Sequence, residues 1–357
     1  VATRTDATTA AAPGDPVRKP LAARQRQLSE FTPRDRVVRS VLGVFALLPA
    51  AALVFLAYQM FKLAYPAIVF SGWHFFSKSF TIGNQYGTGS LQDHHGYKAQ
   101  PGASFGVLEM LFGTVVSSGI ALVIAVPVSV GGAIFLVERL PLRYQGTLGA
   151  FLELLAGIPS IVFGLWGYLT FGPFLARDVY PAITDLGIPW FKGPVNNGQS
   201  VATASLVLAV MIIPIIASTT RELIRSVPEL TKEGAVALGL TPSESVRLVT
   251  MPFVRTGIVA ASILGLARAL GETVAVLFIS GASLSGYPHS IFAQFSTMAA
   301  SIANILDAAL TDGTGMALHA LAEVGLLLLV ITLIANFGGR LIATRLGGGG
   351  LPVGRGV

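Results

Sequence analysis

From residue 41 onward the chain alternates long apolar runs with shorter polar stretches. Six runs reach the roughly 20 residues a helix needs to cross a hydrocarbon layer ~30 Å thick: 41–63, 107–137, 147–175, 201–220, 253–280 and 316–337. Hydrocarbon offers the backbone no water to bond, so each run is read as a helix. Prolines such as Pro49, Pro127, Pro159 and Pro214 are tolerated there because neighbouring helices re-satisfy the freed groups. The pattern predicts an all-α integral membrane bundle with six transmembrane helices.

Composition agrees: 53% of residues are hydrophobic and 12% charged, with a mean hydropathy of +0.70. A soluble domain carries about 25% charged residues, so this chain lacks the polar surface to cover itself in water. It contains no cysteine, which excludes disulfides and thiolate metal sites. The net charge of +6 would favour nucleic acid in a soluble protein; here the placement of the charges carries the information, and no nucleic-acid partner is expected.

Residues 1–40 form a basic stretch without an apolar run, expected to be a disordered tail drawn to anionic lipid headgroups. A transmembrane domain is expected over 41–345, and 346–357 is a Gly-rich tail. With six spans, both termini share a side with the loops after the second and fourth spans. That side collects 18 of the 24 Lys and Arg residues, against five on the other. The positive-inside rule then puts both termini in the cytoplasm. Of the outer segments, 65–106 carries Trp73, Phe75 and Phe76, suited to an interfacial belt, and 181–200 reads as loop.

The inner loop 221–252 is patterned as structure. A helix is expected over 228–240, with Pro228 in its first turn and Gly239 near its end. Thr241-Pro242-Ser243-Glu244 then reads as a cap opening a second short helix through Val249. Two short helices set against each other form a rigid bracket, able to pass a push from a docked partner into the bundle.

In the fifth run, the only charges beyond Arg255 are Arg268 and Glu272. A charge at membrane depth costs ~2.5–3.5 kcal/mol on insertion scales, so it calls for a partner or a task. At ~1.5 Å per residue from Arg255, Arg268 lies ~20 Å into the layer. On one continuous helix the i,i+4 pair shares a face and can neutralise itself. One expectation is that Glu272 holds Arg268 until a cargo competes for it along a polar path; the other is a permanent ion pair locking helices together. Gly265 and Ala269 form a ridge of small residues for close helix packing.

Weaker candidates carry two readings each. Thr114, Ser117 and Ser118 are candidate path residues, though such hydroxyls usually bond their own helix carbonyls. His319 and Glu323 are a further i,i+4 pair, read as an interfacial hydrogen bond, while Glu109 and Glu153 sit near span ends, within reach of headgroups. Asp93-His94-His95 lacks a further spaced ligand, so no metal site is expected. Residues 193–200 have the outline of a phosphate-binding loop, but Gln199 replaces its essential lysine and no nucleotide is expected there.

The inner loop reads Glu233-Gly234-Ala235, then Gly239, and closes on Val249-Thr250-Met251-Pro252. This resembles the Glu-Ala-Ala…Gly…Ile-x-Leu-Pro signature of ABC importer permeases, departing from it at Gly234 and at Val249 and Met251. The stretch from Leu154 to Gly167, the segment Ile212 to Ala217 with Arg221-Glu222 and Val227-Pro228, and Ala267 to Thr273 are similar to phosphate permeases of the PstC family. The resemblance covers about 105–337. It implies a type I ABC importer permease bundle with both termini cytoplasmic, in a bacterial cell membrane. It further implies the permease subunit of an ATP-driven importer of inorganic phosphate, with Arg268 and Glu272 on the substrate path. Glu233, Ala235, Gly239 and Pro252 would be the ATPase-coupling residues. The implied partners are a second, PstA-like permease chain, a dimeric cytoplasmic ATPase that holds the ATP and Mg, an extracytoplasmic phosphate-binding protein, and membrane lipids. No cofactor and no catalytic residue are expected on this chain.

The Arg-Ala-Leu-Gly-Glu core also occurs in sulfate and molybdate permeases, which leaves a second oxyanion importer open; Thr273 and the Ile158-to-Gly167 stretch favour phosphate. An ion-coupled secondary transporter would normally show an internal repeat, and none is clear. A membrane enzyme would need a catalytic constellation that these residues do not assemble.

Overall fold

A computed structural model describes residues 33–83, 89–185, 187–193, 195, 197–284 and 286–347. Helix α1 (Pro33–Ser71) leads into a loop holding strands β1 (Phe80–Thr81), β2 (Gln92–His94), β3 (Tyr97–Ala99) and β4 (Ser104–Phe105). Then come α2 (Leu108–Arg139), α3 (Leu142–Ala156), α4 (Ser160–Thr184), α5 (Val201–Arg225), α6 (Glu229–Ala237), α7 (Pro242–Leu270), α8 (Val274–Ile279), α9 (Met298–Leu310) and α10 (Met316–Gly347).

The chain divides into two compact units, 1–58 and 59–357, with the division inside α1. In the first unit the described residues are helical, and Leu42, Phe45, Val54 and Phe55 are exposed, as suits a helix solvated by lipid. The helix begins at Pro33, so 33–40 are not the expected unstructured tail; Pro suits a first helical position because its missing N–H is not needed there. Residues 1–32 and 348–357 lie outside the described ones.

In the second unit α5 is the central post, with 72% of its most apolar window buried. Val207, Leu208, Met211, Ile212 and Ile216 pack there with Ala121 and Ala125 of α2, Ala261 and Ala269 of α7, and Ala275 and Ile279 of α8. The partners are small because helices in lipid gain by close packing, not by escaping water. Gly265 shows this: a Cβ there would sit 2.7 Å from Ile216 Cδ1. Gly164 likewise lets α4 meet the backbone of Ala275 in α8.

Among the described residues, five helices are long and apolar enough to span singly, and a bent pair makes a sixth if it is counted as one span. The third run is thus not one rod: α3 and α4 meet at 85° across Gly157-Ile158-Pro159. Pro159 disfavours helical backbone in the residue before it, and periodicity alone could not locate the break. The fifth run is also interrupted, at Gly271-Glu272-Thr273 between α7 and α8. Conversely, the expected second short helix of the inner loop runs unbroken into α7.

Four π turns occur among the described residues, Phe135–Arg139, Gly167–Phe171, Leu175–Val179 and Val246–Thr250. Each ends two residues before a proline: Pro141, Pro173, Pro181 and Pro252. A proline ring clashes with the carbonyl four residues earlier and supplies no N–H, and one widened turn ahead of it relieves both.

The first long loop is more ordered than its composition indicates. Strands β1 and β4 pair antiparallel with Phe80 opposite Phe105, and β2 pairs β3 with Asp93 opposite Lys98. Phe75, Phe80 and Phe105 share a core with Met298, Ile305, Met316 and Leu321 of α9 and α10. Asp312 fastens this loop to α10: its carboxylate accepts from Gln100 Nε2 at 3.1 Å and from the backbone N–H groups of Thr314 at 3.1 Å and Ala317 at 3.0 Å. Burial pushes the Asp312 carboxyl up, but these donors outweigh it and hold the group below the usual carboxylate value.

Two outcomes follow from this packing. Gly265→Leu should destabilise the fold by about 1–3 kcal/mol through overpacking against Ile216, seen as a lower Tm of the purified protein; an unchanged Tm would refute the close α5–α7 approach. Because its folded pKa is depressed, Asp312 contributes stability that is present above the ordinary value of about 3.9 and lost as pH falls through the folded value. Acid melting curves of Asp312→Asn should therefore lose part of the pH dependence below about pH 4, and curves parallel to wild type would contradict the assigned hydrogen bonds.

Candidate functional site

Arg268 occupies the last turn of α7, where a cation complements the helix dipole. Its side chain is exposed, on a stripe with Ala260, Leu264 and Gly271 that this chain's own helices leave uncovered. The opposite face of α7, with Ala261, Gly265 and Ala269, is buried. A guanidinium at this depth cannot stably face lipid, so the uncovered stripe is the side on which a polar environment has to be completed.

The expected Arg268–Glu272 pair is not formed. None of the ion pairs among the described residues includes Arg268. The i,i+4 argument needs a continuous helix, and α7 ends at Leu270, with Gly271 N–H bonding Ala267 O and Glu272 N–H bonding Ala269 O. Glu272 is instead buried, its Oε1 accepting from the Ala275 N–H in the first turn of α8 at 3.4 Å. A carboxylate suits a helix N-terminus for the same reason that Arg268 suits a C-terminus. The two charges thus flank the break within one span, Arg268 at the C-terminal end of α7 and Glu272 at the N-terminal end of α8. Thr273 Oγ1 adds a bond to Gly271 O at 3.2 Å.

Thr114, Ser117 and Ser118 are buried, and each hydroxyl donates to a carbonyl one turn back: Met110, Gly113 and Thr114, at 2.7, 2.7 and 2.5 Å. Thr114 Oγ1 also accepts the Met298 N–H at 2.9 Å, tying α2 to α9. His319 does not bond Glu323; its Nδ1 meets Leu63 O at 2.7 Å. Glu109 is buried and accepts from Ser79 Oγ at 2.5 Å, so it does not reach outward. Glu153 is exposed and paired with Arg221. Asp93 Oδ1 closes the β2–β3 turn by accepting from Gly96 N–H, and no group of three or more potential metal ligands occurs among the described residues.

The bracket is built largely as its sequence indicates. Helix α6 ends at Gly239, whose φ of +82° is left-handed backbone that glycine adopts without strain. The next helix opens on a reciprocal cap: Glu244 N–H donates to Thr241 Oγ1 at 3.4 Å, and Thr241 N–H donates to Glu244 Oε2 at 2.8 Å. Ala235 is buried, while Glu233, Gly239 and Pro252 are exposed. Leu230, Val236 and Leu238 are also exposed, at 82%, 65% and 84%, an apolar surface on a polar loop that calls for a partner.

Sequence reasoning missed the fastenings of this bracket. Lys232 Nζ meets Glu138 Oε1 at 2.9 Å, and Arg139 Nη2 donates to Ser243 Oγ at 2.7 Å, so both arms are tied to the end of α2. Arg221, only 6% exposed, lies in the space left by Gly149 of α3 and bonds Glu153 at 2.8 Å and Glu222 at 2.9 Å. Apart from Arg221 with its neighbour Glu222, these pairs join residues 68 or more positions apart, and no local pattern announces them.

The sequence pattern described as "Binding-protein-dependent transport system inner membrane component" matches residues 125–348. The fold matches a solved bacterial alginate ABC transporter in complex with an alginate pentasaccharide-bound periplasmic protein, over 88% of this chain and 98% of that one, at 15% identity and a TM-score of 0.56. The chain therefore belongs to the binding-protein-dependent inner membrane component family, as a multi-pass protein of the cytoplasmic membrane with the permease fold. Within that family it is 47% identical over 326 residues to phosphate transport system permease protein PstC 1 of Mycobacterium tuberculosis, covering 90% of this chain and 96% of that one. It is 42% identical over 247 residues to PstC of Haemophilus influenzae, covering 68% and 77%.

Because Arg268 and Glu272 sit at separate helix ends and do not pair, reversing both charges restores nothing. Arg268→Glu with Glu272→Arg should melt no higher than the less stable single reversal; a double variant more stable than both singles would demonstrate a bridge.

Proposed function

We propose that this chain is a membrane permease subunit of an ATP-driven importer of inorganic phosphate, forming the translocation path together with a second, PstA-like permease chain. The observation that carries the reading is Arg268, at membrane depth on a face its own bundle leaves open. A single charge so placed implies an enclosure shared with another chain. Arg presents five donors in a planar fork suited to oxyanion oxygens and stays charged at any physiological pH. The curated relatives named above are phosphate permeases, which favours phosphate over the sulfate and molybdate alternative. Glu272, held at the start of α8, sets the negative limit of the path and leaves the guanidinium free for cargo.

Drive comes from outside the chain. A dimeric ATPase, which holds the ATP and Mg, docks on the bracket through Leu230, Val236 and Leu238, with Glu233, Ala235, Gly239 and Pro252 shaping that surface. An extracytoplasmic phosphate-binding protein delivers the cargo from the other side, consistent with both termini being cytoplasmic. The cycle is a population shift between inward-open and outward-open bundles, driven by the ATPase's unequal affinity for the two.

Arg268→Gln should reduce phosphate uptake to background in vesicles containing the whole complex, while the subunits still co-purify. Wild-type uptake by that variant would place the anion path elsewhere. Phosphate should outcompete sulfate and molybdate in the same vesicles.

A further inference from the structure

The inner ends of α2, α3 and α5 meet at a corner built on one buried amide. Helix α2 closes in the π turn Phe135–Arg139, and only Leu140 and Pro141 separate it from α3. A helix end leaves its last carbonyls without intrahelical donors. Gln145, in the first turn of α3 and 8% exposed, meets that need from across the corner. Its Nε2 donates to Val137 O at 3.1 Å and to Leu140 O at 2.9 Å. Its Oε1 accepts from Nη2 of Arg225, the last residue of α5, at 3.4 Å. An uncharged amide carries two N–H donors and a carbonyl acceptor, and both kinds of group are engaged here.

From Arg225 the row of contacts continues. Arg225 Nη1 lies 3.7 Å from Glu222 Oε1, and the same oxygen accepts from Arg221 Nε at 3.2 Å and Nη2 at 2.9 Å. Arg221 Nη2 also reaches Glu153 Oε1 at 2.8 Å, so α3 is fastened to the end of α5 at both Gln145 and Glu153. Gly149 between them makes room, because a Cβ there would strike the Arg221 guanidinium. Exposed ion pairs alone stabilise little. This row is anchored on a buried amide and a buried guanidinium, and satisfied networks in a low dielectric rigidify what they join. On the other side of the corner, Glu138 and Arg139 of the π turn hold the bracket through Lys232 at 2.9 Å and Ser243 at 2.7 Å.

We propose that Gln145 is a positioning residue for coupling. It locks the α2–α3 corner, so that the inner ends of α2, α3 and α5 travel with the bracket as one body when a docked ATPase displaces it. Without the amide, the displacement is taken up by bending at Leu140 and Pro141 and does not reach α5. What drives the displacement rests on the importer reading above; the lock itself rests on the contacts around Gln145.

The test uses the assembled complex and reads geometry and coupling separately. The chain has no cysteine, so Thr147→Cys on α3 and Thr231→Cys on α6, both exposed positions, give it two unique spin-label sites. Pulsed EPR measures their separation without nucleotide and with ATP trapped by orthovanadate. The separation should be the same in both states for the otherwise wild-type chain, and broadened or shifted by Gln145→Met. A separation that changes between states without that substitution, or one that Gln145→Met leaves untouched, overturns the lock. In vesicles, Gln145→Met should lower the phosphate taken up per ATP hydrolysed several-fold while ATP hydrolysis persists. Uptake and hydrolysis falling in proportion would mark a merely structural residue and overturn the positioning role. Should Gln145→Met fail to assemble, Gln145→Glu carries the same comparisons, since it keeps an acceptor for Arg225 and loses both donors to the corner. Vesicles of the unsubstituted complex that take up no phosphate would refute the importer reading, and the EPR separations would still decide the lock.

Discussion

A guanidinium at membrane depth, in the last turn of α7, has to be solvated by something other than lipid, and the rest of the architecture answers to that constraint. The bundle does not fold over Arg268. It turns Ala261, Gly265 and Ala269 toward α5 and leaves the Arg268 stripe bare. Burying the small ridge lets α5 and α7 approach until Ile216 fills the place of a Cβ on Gly265. The same choice of rotation about the α7 axis therefore does two things: it makes a close packing against α5 and it presents the charge on a side the described residues leave uncovered. The unit 59–357 is well packed around α5 and incomplete around Arg268, as expected of one part of a shared enclosure.

The second feature is how breaks are placed within apolar runs. A helix interrupted in hydrocarbon exposes N–H and C=O groups that need partners. At Gly271 these are met by two backbone bonds reaching back into α7 and by the Glu272 carboxylate reaching forward into α8. At Gly157 the N–H reaches back to Leu154 O, and Pro159 offers no N–H to satisfy. The π turns ahead of Pro141, Pro173, Pro181 and Pro252 are milder versions, where the helix widens for one turn and then continues or restarts.

These particulars explain what the sequence made legible. The six apolar runs, the Thr241–Glu244 cap, the Gly239 helix end and the Gly265–Ala269 ridge are local signals, each with a local physical cause, and each is present in the fold. The break at Gly271 was also signalled, by a glycine where a C-cap would sit, but hydropathy continued across it and the i,i+4 argument assumed one rod. Strands of two or three residues in the first long loop are too short for alternation to register. The fastenings Glu138–Lys232 and Arg221–Glu153 depend on helices meeting in space, so only the fold could pair them.

The expectation most changed by the structure concerns the bracket, and the change bears on coupling. Two short helices apart from the bundle would have to transmit a push through a joint at the membrane surface. Instead the second arm is the first turns of α7, a helix of 29 residues from Pro242 to Leu270, or ~40 Å at ~1.5 Å per residue. Arg268 rides on its far end. The near end is gripped by Arg139 through Ser243, and the other arm by Glu138 through Lys232, so α2 carries both anchors. In the proposed importer, a displacement of the docking surface is therefore delivered along a single lever to the residue that meets the cargo. The widened turn at Val246–Thr250 interrupts the regular α-helical bonding of that lever close to the bracket. In that importer α7, anchored before the widened turn and continuous beyond it to Leu270, is the direct link from the exposed bracket to Arg268, without any intervening chain of side chains.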